Sequence, residues 1–245
     1  MKHFGLIGHP LTHSFSKAYF NEKFRQEGLD CDYDNYDLED LSLIKQSNLL
    51  GFNVTIPYKE AIVPYLDELD EVAAEVGAVN TVKVMPNGRL KGFNTDVIGF
   101  EALIPHSSFL IPHSTLLTPH SSLILGTGGA SKAVQYVLKK HGIAFHLVSR
   151  DTAKGDYTYA QLTSDIIKEH LLIINTTPLG TFPNVTEAPP IPYEAISPNH
   201  ALIDLIYNPE ETLFLKYGRK HGAKILNGLG MLHAQAEASW EIWNS

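Results

Sequence analysis

The chain has 245 residues, which is enough for one large domain or two ordinary ones, since a domain usually takes roughly 100 to 200 residues. Hydrophobic residues make up 44% of the sequence and charged residues 19%, which excludes a disordered chain. The formal net charge is −8 with only 19 Lys and Arg, so the sequence has no sustained basic stripe for a nucleic-acid backbone. We therefore expect a globular protein without a nucleic-acid partner.

Cys31 is the single cysteine, which rules out an intramolecular disulfide and zinc sites built from several cysteines. The sequence opens with a strand-like run from His3 to Gly8 instead of a leader, and no apolar run is long enough to span a bilayer. These features predict a cytoplasmic protein that binds no membrane. We further expect no bound metal, and either a monomer or a homodimer.

The first hundred residues alternate strand and helix patterns. The predicted elements are strands at 3–8, 31–38 and 51–56, a helix between the last two, and a helix that starts at Ser14 or Ser16 and ends at Gly28. This alternation predicts a mostly parallel sheet covered by helices. Asn87-Gly88 separates two further strand patterns, 81–85 and 89–93, and predicts an antiparallel hairpin because both residues tolerate a positive φ.

Residues 104–122 interrupt this order with a Pro-His-Ser triplet that recurs at Pro105, Pro112 and Pro119. Proline at this spacing opposes a continuous helix. Three histidines at one spacing raise the alternative of a metal site, but such a site needs convergent ligands and a supporting shell. We interpret the segment as an irregular linker and assign it no function.

A second alternation begins at Ser122 and predicts a doubly wound unit. Its predicted elements are strands at 122–125, 145–150, 171–175, 201–207 and 224–226 and helices at 132–141, 166–169 and 210–221. The final segment, 231–243, is apolar on one face and predicts a closing helix. The predicted fold class is therefore α/β.

A glycine-rich turn, Gly126-Thr127-Gly128-Gly129-Ala130-Ser131, joins the first strand of this unit to its first helix. Glycines there supply the tight turn and close backbone approach that a pyrophosphate needs at a helix N-terminus. Ser131 stands in the place of the third glycine, and an ordinary strand-to-helix turn is the alternative. The next strand ends Ser149-Arg150 where an NAD site would carry an acid, so NADP is favoured.

Lys59 and Asp96 are the best candidates for catalysis. Lys59 follows a buried strand and Asp96 opens a helical segment, so a solvated lysine and a helix N-terminal acid are the ordinary alternatives. A proton-transfer pair beside a redox cofactor indicates a dehydrogenase. For either Ser14 or Ser16 alone, the ordinary alternative is a helix cap with no further role. Two hydroxyls at a helix N-terminus also make a carboxylate-binding site.

Eight motifs, in order along nearly the whole chain, resemble those of the shikimate dehydrogenase family. They are His13-Ser14-Phe15-Ser16, Asn53 to Lys59, Gly77 to Thr81, Asn94-Thr95-Asp96, Gly126 to Ser131, Asn175 to Gly180, Asp204 to Pro209 and Asn227 to Leu232. The resemblance implies a substrate-binding domain over 1–100, which the last helix at 231–245 rejoins, a Rossmann NADP-binding domain over 101–230, and catalysis in the cleft. The implied reaction is the reversible reduction of 3-dehydroshikimate to shikimate by NADPH, on the route to chorismate and the aromatic amino acids.

The resemblance also implies roles for particular residues. Lys59 and Asp96 become the catalytic pair. The implied substrate contacts are Ser14 and Ser16 for the carboxylate, with Tyr207 near them, and Asn80, Asp96, Thr55 and Gln235 for the hydroxyls. The implied cofactor contacts are Gly126, Thr127, Gly128, Gly129, Ala130, Ser131, Ser149, Arg150, Lys154, Asn175, Thr176 and Gly228.

The sequence departs from the family pattern at several positions. Lys17 stands where proline is common, Phe20 where histidine is common, and Thr127 where alanine is usual. Ser149-Arg150-Asp151 replaces the common Asn-Arg-Thr and puts an acid beside the expected 2′-phosphate. Two alternatives stay open: a quinate/shikimate dehydrogenase that accepts NAD, and a catalytically silent homologue that binds a nucleotide or a shikimate-like ligand. The complete catalytic pair weighs against the second.

Overall fold

The computed structural model describes residues 1–11, 14–46, 48–104 and 121–245. The chain divides into two compact units, one formed by Met1–Thr95 with Gln235–Ser245 and the other by Asp96–Ala234. Each unit contains a six-stranded sheet and helices, which confirms the predicted α/β fold class. Within these described ranges, no helix is both long enough and apolar enough to cross a membrane.

The first unit is built on a mixed sheet. Its strands are β1 (Lys2–Gly8), β2 (Cys31–Asp37), β3 (Gly51–Val54), β4 (Glu68–Leu69), β5 (Thr81–Val84) and β6 (Leu90–Phe93). The order across the sheet is β2-β1-β3-β5-β6-β4, with β5 antiparallel to both neighbours and the other pairs parallel. The register pairs Asn53 with Thr81 and Thr81 with Phe93. Three strand ends therefore meet at one edge of this sheet.

The helices of the first unit are α1 (Phe15–Glu27), α2 (Tyr58–Ala61) and α3 (Glu71–Val76), and local capping sets the ends of α1 and α3. Ser14 caps α1 by accepting a hydrogen bond from the Lys17 backbone N–H, as predicted. Gly28 ends α1 with a φ of 66°, in the left-handed region that favours glycine. The capping residue is thus Ser14 and not Ser16.

The second unit is built on a sheet in which every strand pair is parallel. Its strands are β7 (Ser122–Leu125), β8 (Phe145–Ser149), β9 (Tyr157–Thr158), β10 (Leu172–Asn175), β11 (Ala201–Asp204) and β12 (Lys224–Leu226), in the order β12-β11-β10-β7-β8-β9. The central strands are apolar and buried along their length, as expected when helices cover both faces. The further helices are α4 (Thr95–Glu101), α5 (Gly129–Lys140), α6 (Ser164–Glu169), α7 (Leu213–Lys220) and α8 (Leu229–Asn244).

The end of α8 completes the core of the first unit. Trp243 stacks on Phe4 with ring centroids 4.9 Å apart, and its indole N–H donates to the Val82 carbonyl at 3.0 Å. A Cβ atom at Gly51 would lie 2.3 Å from the Trp243 ring, so glycine is needed there to admit the indole. The closing helix predicted at 231–243 is confirmed, and it extends from Leu229 to Asn244.

Several predicted strands are shorter in the structure. The predicted strand 51–56 ends at Val54, because the chain turns where the Tyr58 N–H donates to the Thr55 carbonyl. The predicted strand 201–207 ends at Asp204, because the carboxylate of Asp204 accepts the Ile206 N–H that a longer ladder would use. Side-chain and backbone turns thus compete with strand extension at both sites.

Other elements differ in type or in extent. The helix expected between 38 and 51 is a 3₁₀ helix, Leu41–Gln46, and the two-residue strands β4 and β9 are not predicted by the sequence pattern. Antiparallel pairing of β5 with β6 confirms the hairpin, but only Gly88 of its turn has a positive φ, 78°. The Pro-His-Ser triplets lie outside the described residues except for Ser121, and His13 also lies outside them.

Candidate functional site

Ser14 and Ser16 lie at the N-terminus of α1. The Ser14 oxygen accepts from the Lys17 N–H at 3.3 Å, which leaves the Ser14 hydroxyl able to donate. Ser16 is buried, and its hydroxyl interacts with that of Tyr33. Burial raises the pKa of Tyr33 well above its ordinary value, and the interaction with Ser16 opposes part of this rise. Two hydroxyls therefore stand where the helix dipole favours an anion.

Lys59 is half-buried in the short helix α2, next to the segment that carries Asn80. The Lys59 carbonyl accepts a hydrogen bond from the Val79 N–H at 2.7 Å. Thr55, at the end of β3, is held by a 2.8 Å bond from its N–H to the Ile7 carbonyl. These backbone bonds hold the Lys59 and Thr55 segments at the strand-end edge of the first sheet.

Asn80 and Gln235 are brought together although they are far apart in sequence. Asn80 Nδ2 donates to Gln235 Oε1 at 3.3 Å and to Thr95 Oγ1 at 3.0 Å, while Asn80 Oδ1 accepts from the Thr95 N–H at 2.7 Å. Asp96 follows Thr95 in the first turn of α4, and its side chain is buried. The two amides and a threonine thus form one hydrogen-bonded group.

Buried hydroxyl and amide groups lie directly behind this group. We call Asn53, Thr81, Thr95 and Ser239 the polar cluster. Asn53 Nδ2 donates to Thr81 Oγ1 at 3.0 Å and to Ser239 Oγ at 2.9 Å. Thr81 and Ser239 are not among the site residues predicted from the sequence, and the only signal for them is a polar residue on the apolar face of a strand or helix.

In the second unit, the predicted cofactor residues lie at the carboxyl ends of parallel strands. β7 has β10 on one side and β8 on the other, so the chain order reverses between β7 and β10. Ligands of open α/β sheets bind at the carboxyl ends of the strands beside such a reversal. Gly126 follows β7, Arg150 follows β8 and Thr176 follows β10, so all three lie at this edge.

The glycine turn after β7 packs tightly on one side and is open on the other. Gly126 has a φ of 105°, and a Cβ atom there would lie 2.8 Å from Thr176 Oγ1, so only glycine suits the position. Gly128 caps α5 without a side-chain bond, and a Cβ atom at Gly128 would meet nothing within 4 Å. The backbone at Gly128 can therefore be approached closely by a phosphate group. Ser131 is buried, and its hydroxyl accepts from Gln135 inside α5.

Arg150, Asp151 and Lys154 are exposed in the turn after β8. Asp151 Oδ1 accepts from the Ala153 N–H at 3.0 Å, and Asp151 Oδ2 lies 3.8 Å from the Lys154 ammonium. Ser149 accepts from the Asp151 N–H at 3.1 Å, which shapes the same turn. Two cations and one carboxylate thus stand at the end of this strand.

Asn175 is fixed by a buried acid. Its Nδ2 donates to Asp204 Oδ1 at 3.0 Å, and Thr212 donates to Asp204 Oδ2 at 2.5 Å. Burial raises the pKa of Asp204 to about 6, against the opposing effect of its hydrogen bonds.

Burial also raises the pKa of Tyr207, which follows β11. A Cβ atom at Gly228 would lie 2.1 Å from a backbone oxygen, so glycine is required there.

The structure groups the predicted site residues by unit. In the first unit, Asn80 and Gln235 are in direct contact, and Thr55 and Lys59 lie at the same sheet edge. In the second unit, Gly126 packs on Thr176, while Arg150 and Lys154 share the turn after the neighbouring strand. Tyr207 belongs to the second unit, whereas Ser14 and Ser16, near which it was expected, belong to the first.

Comparisons of the sequence with known proteins find shikimate dehydrogenases. A family model described as the shikimate dehydrogenase substrate binding domain matches residues 6–82. A shikimate dehydrogenase (NADP(+)) of Methanococcus maripaludis is 38% identical over 259 residues, which cover 98% of this chain and 90% of the relative.

Solved structures are similar over the whole chain as well. Shikimate 5-dehydrogenase of Thermus thermophilus, in complex with NADP(H) and shikimate, has a TM-score of 0.83 at 31% identity and covers 99% of this chain and 93% of its own. Quinate dehydrogenase of Corynebacterium glutamicum, in complex with NAD, has a TM-score of 0.85 at 27% identity, with 99% and 93% covered.

Proposed function

Because this chain belongs to the shikimate dehydrogenase family, we propose that it catalyses the reversible, NADP-dependent reduction of 3-dehydroshikimate to shikimate. The observation that supports this most directly is the hydrogen-bonded group of Asn80, Thr95 and Gln235, next to the Lys59 backbone. Such a group offers donors and acceptors to a polyhydroxylated ring, and the lysine offers a cation to a ketone.

The substrate carboxylate is assigned to Ser14 and Ser16, with Tyr207 as a further contact. Ser14 retains a donor proton after capping α1, and Ser16 stands two positions further along the chain, in the first turn of the helix. An anion gains from both the hydroxyl donors and the positive end of the helix dipole. The ring hydroxyls are assigned to Thr55, Asn80, Asp96 and Gln235, which together can donate and accept.

Lys59 is the proposed proton donor. When bound, NADPH supplies a hydride to the ketone carbon. The ketone oxygen gains negative charge in that step, and the Lys59 ammonium supplies both a nearby positive charge and the proton that completes the hydroxyl. In the reverse direction, neutral Lys59 accepts the hydroxyl proton of shikimate. Asp96 is assigned as the partner that orients the Lys59 ammonium.

The cofactor is assigned to the second unit. The open backbone beside Gly128 suits the pyrophosphate, and the other proposed contacts along this edge are Gly126, Thr127, Gly129, Ala130, Ser131, Asn175, Thr176 and Gly228. Ser149, Arg150 and Lys154 are assigned to the adenosine side, where two exposed cations suit a 2′-phosphate. This favours NADP over NAD.

One observation supports a second candidate, a quinate/shikimate dehydrogenase that accepts NAD. Asp151 stands in the same turn as Arg150, and its carboxylate lies 3.8 Å from the Lys154 ammonium. An acid at this place repels a 2′-phosphate and can bond the ribose hydroxyls of NAD. A similar structure, that of quinate dehydrogenase, contains NAD.

The domain assignment is part of the proposal. We assign residues 1–100 and the helix at 231–245 to substrate binding and residues 101–230 to NADP binding. We place the protein in the cytoplasm because of its single cysteine.

The proposed activity is tested by a spectrophotometric assay of shikimate and quinate oxidation with NADP⁺ and with NAD⁺ in parallel. We expect activity with shikimate and NADP⁺; faster oxidation of quinate with NAD⁺ would favour the second candidate, and inactivity with all four pairs would overturn both.

A further inference from the structure

The hydrogen bonds of the polar cluster have a direction that two backbone groups determine. Ser239 Oγ lies 2.8 Å from the Gln235 carbonyl oxygen, and a carbonyl can only accept. The Thr95 backbone N–H lies 2.7 Å from Asn80 Oδ1, and an N–H can only donate. Ser239 must therefore donate at one end, and Asn80 must turn its oxygen towards Thr95 at the other.

These two constraints set the protons of the hydroxyls between them. The Ser239 proton is used on Gln235, so Ser239 Oγ accepts from Thr81 Oγ1 across 2.8 Å. The Thr81 proton is then used, so Thr81 Oγ1 accepts from Thr95 Oγ1 across 3.0 Å. Thr95 Oγ1 in turn accepts from Asn80 Nδ2 at 3.0 Å. The shortest contacts thus form one continuous chain of donors from Asn80 to the Gln235 carbonyl.

This chain determines which end of the Gln235 amide can meet a ligand. Because Asn80 Oδ1 is held by Thr95, Asn80 Nδ2 faces Gln235, and it donates to Gln235 Oε1 at 3.3 Å. The amide oxygen of Gln235 is therefore directed at Asn80. Its Nε2 group, on the opposite side of the amide, offers N–H donors.

We propose that Thr81 and Ser239 are positioning residues that orient the Asn80 and Gln235 amides, so that Gln235 donates to the ring hydroxyls of the substrate. This inference rests on the proposed function. Thr81 and Ser239 are fully buried, so bulk water cannot replace a missing hydroxyl in the chain. Asn53 supports the arrangement because its Nδ2 donates to both hydroxyls and its Oδ1 accepts from the Tyr33 hydroxyl at 2.8 Å.

A matched pair of variants at Thr81 tests the inference. Thr81→Val keeps the shape of the side chain but interrupts the donor chain, whereas Thr81→Ser keeps the hydroxyl. We expect Thr81→Val to raise the KM for shikimate by about tenfold, the usual effect of losing a buried hydrogen bond, and to leave the KM for NADP⁺ within about twofold. We expect Thr81→Ser to retain a shikimate KM close to that of the wild type.

Further variants keep the inference testable if Thr81→Val does not fold. Ser239→Ala interrupts the same chain and should raise the shikimate KM alone. Ser122→Ala removes a buried hydroxyl in the second unit and should lower only the thermal unfolding temperature. Three results would each overturn the positioning role. They are a wild-type KM for shikimate in the folded Thr81→Val and Ser239→Ala variants, equal rises in the KM values for shikimate and NADP⁺, and a rise in the shikimate KM of Thr81→Ser as large as that of Thr81→Val. A wild type that does not oxidise shikimate would instead overturn the proposed function and this inference with it.

Discussion

The Asp204 carboxylate and the Asn175 amide are hydrogen-bonded between neighbouring strands, with 3.0 Å from Asn175 Nδ2 to Asp204 Oδ1. The same oxygen accepts the Ile206 N–H at 3.0 Å, so one buried carboxylate fixes a cofactor-side amide and the turn that leads to Tyr207. Burial raises the pKa of Asp204 more than its hydrogen bonds lower it, so the pKa is about 6. A buried acid with a raised pKa makes stability depend on pH.

We expect this dependence to disappear in Asp204→Asn. The native state binds the Asp204 proton more tightly than the unfolded state, so the contribution of this group is full below pH 4 and is lost as pH rises through about 6. A shift from 3.8 to about 6 corresponds to about 3 kcal/mol. Between pH 4.5 and 7.5, the unfolding free energy of the wild type should fall relative to the variant by about 2 kcal/mol, because the rest of the contribution is lost below pH 4.5.

Urea denaturation at several pH values measures the difference, with Asp165→Asn, an exposed carboxylate on α6, as the control. A difference between wild type and Asp204→Asn that stays constant from pH 4.5 to 7.5 would contradict the expected linkage.

Replacement of Lys59 should affect turnover more than binding. Lys59→Ala is expected to lower kcat by about a hundredfold or more with a smaller change in KM, because a proton donor acts mainly in the transition state. Steady-state kinetics on the folded variant check this. Lys168→Ala, which removes an exposed lysine of α6, should keep wild-type kinetics. Turnover of Lys59→Ala within a few-fold of the wild type would exclude a catalytic role for Lys59.

The two serines at the start of α1 should act on binding of the carboxylate. Ser14→Ala with Ser16→Ala is expected to raise the KM for shikimate, because the double variant lacks both hydroxyl donors at the helix N-terminus. Ser14→Ala alone also removes the cap of α1 and should cost about 1 kcal/mol of stability. The carboxamide analogue of shikimate is the control substrate: it should bind poorly to the wild type and lose little more in the double variant. An unchanged KM for shikimate would place the anion site elsewhere.

The turn after β8 should decide the choice of cofactor. Arg150→Ala is expected to lose the preference for NADP, because a guanidinium can hold a phosphate through two parallel hydrogen bonds. Asp151→Thr is expected to strengthen that preference by removing a like charge, although Lys154 and salt already screen Asp151. The measurement is kcat/KM with NADP⁺ and NAD⁺ for each variant. A wild type that prefers NAD⁺ would contradict the assignment.

The features that the sequence predicts correctly depend on neighbours in the chain. Ser14 caps a helix through a residue three positions later, and Gly28 ends it by its own φ. Strand ends are predicted less well, because Asp204 turns its carboxylate onto Ile206 where the apolar pattern continues. The pairing of Asn53 with Ser239 could not be predicted, since these residues are 186 positions apart and meet only through packing of α8. The short strands β4 and β9 have too few residues to show a period.

The end of helix α8 is synthesised last, yet it completes the core of the unit whose sequence is synthesised first. Residues 235–245 belong to the first unit, where Trp243 fills the space beside Gly51, yet they are translated after the whole second unit. The nascent first unit therefore lacks Trp243 and Ser239 throughout the translation of the second unit. The first unit, although its sequence comes first, can thus complete its apolar core only after translation has passed residue 243.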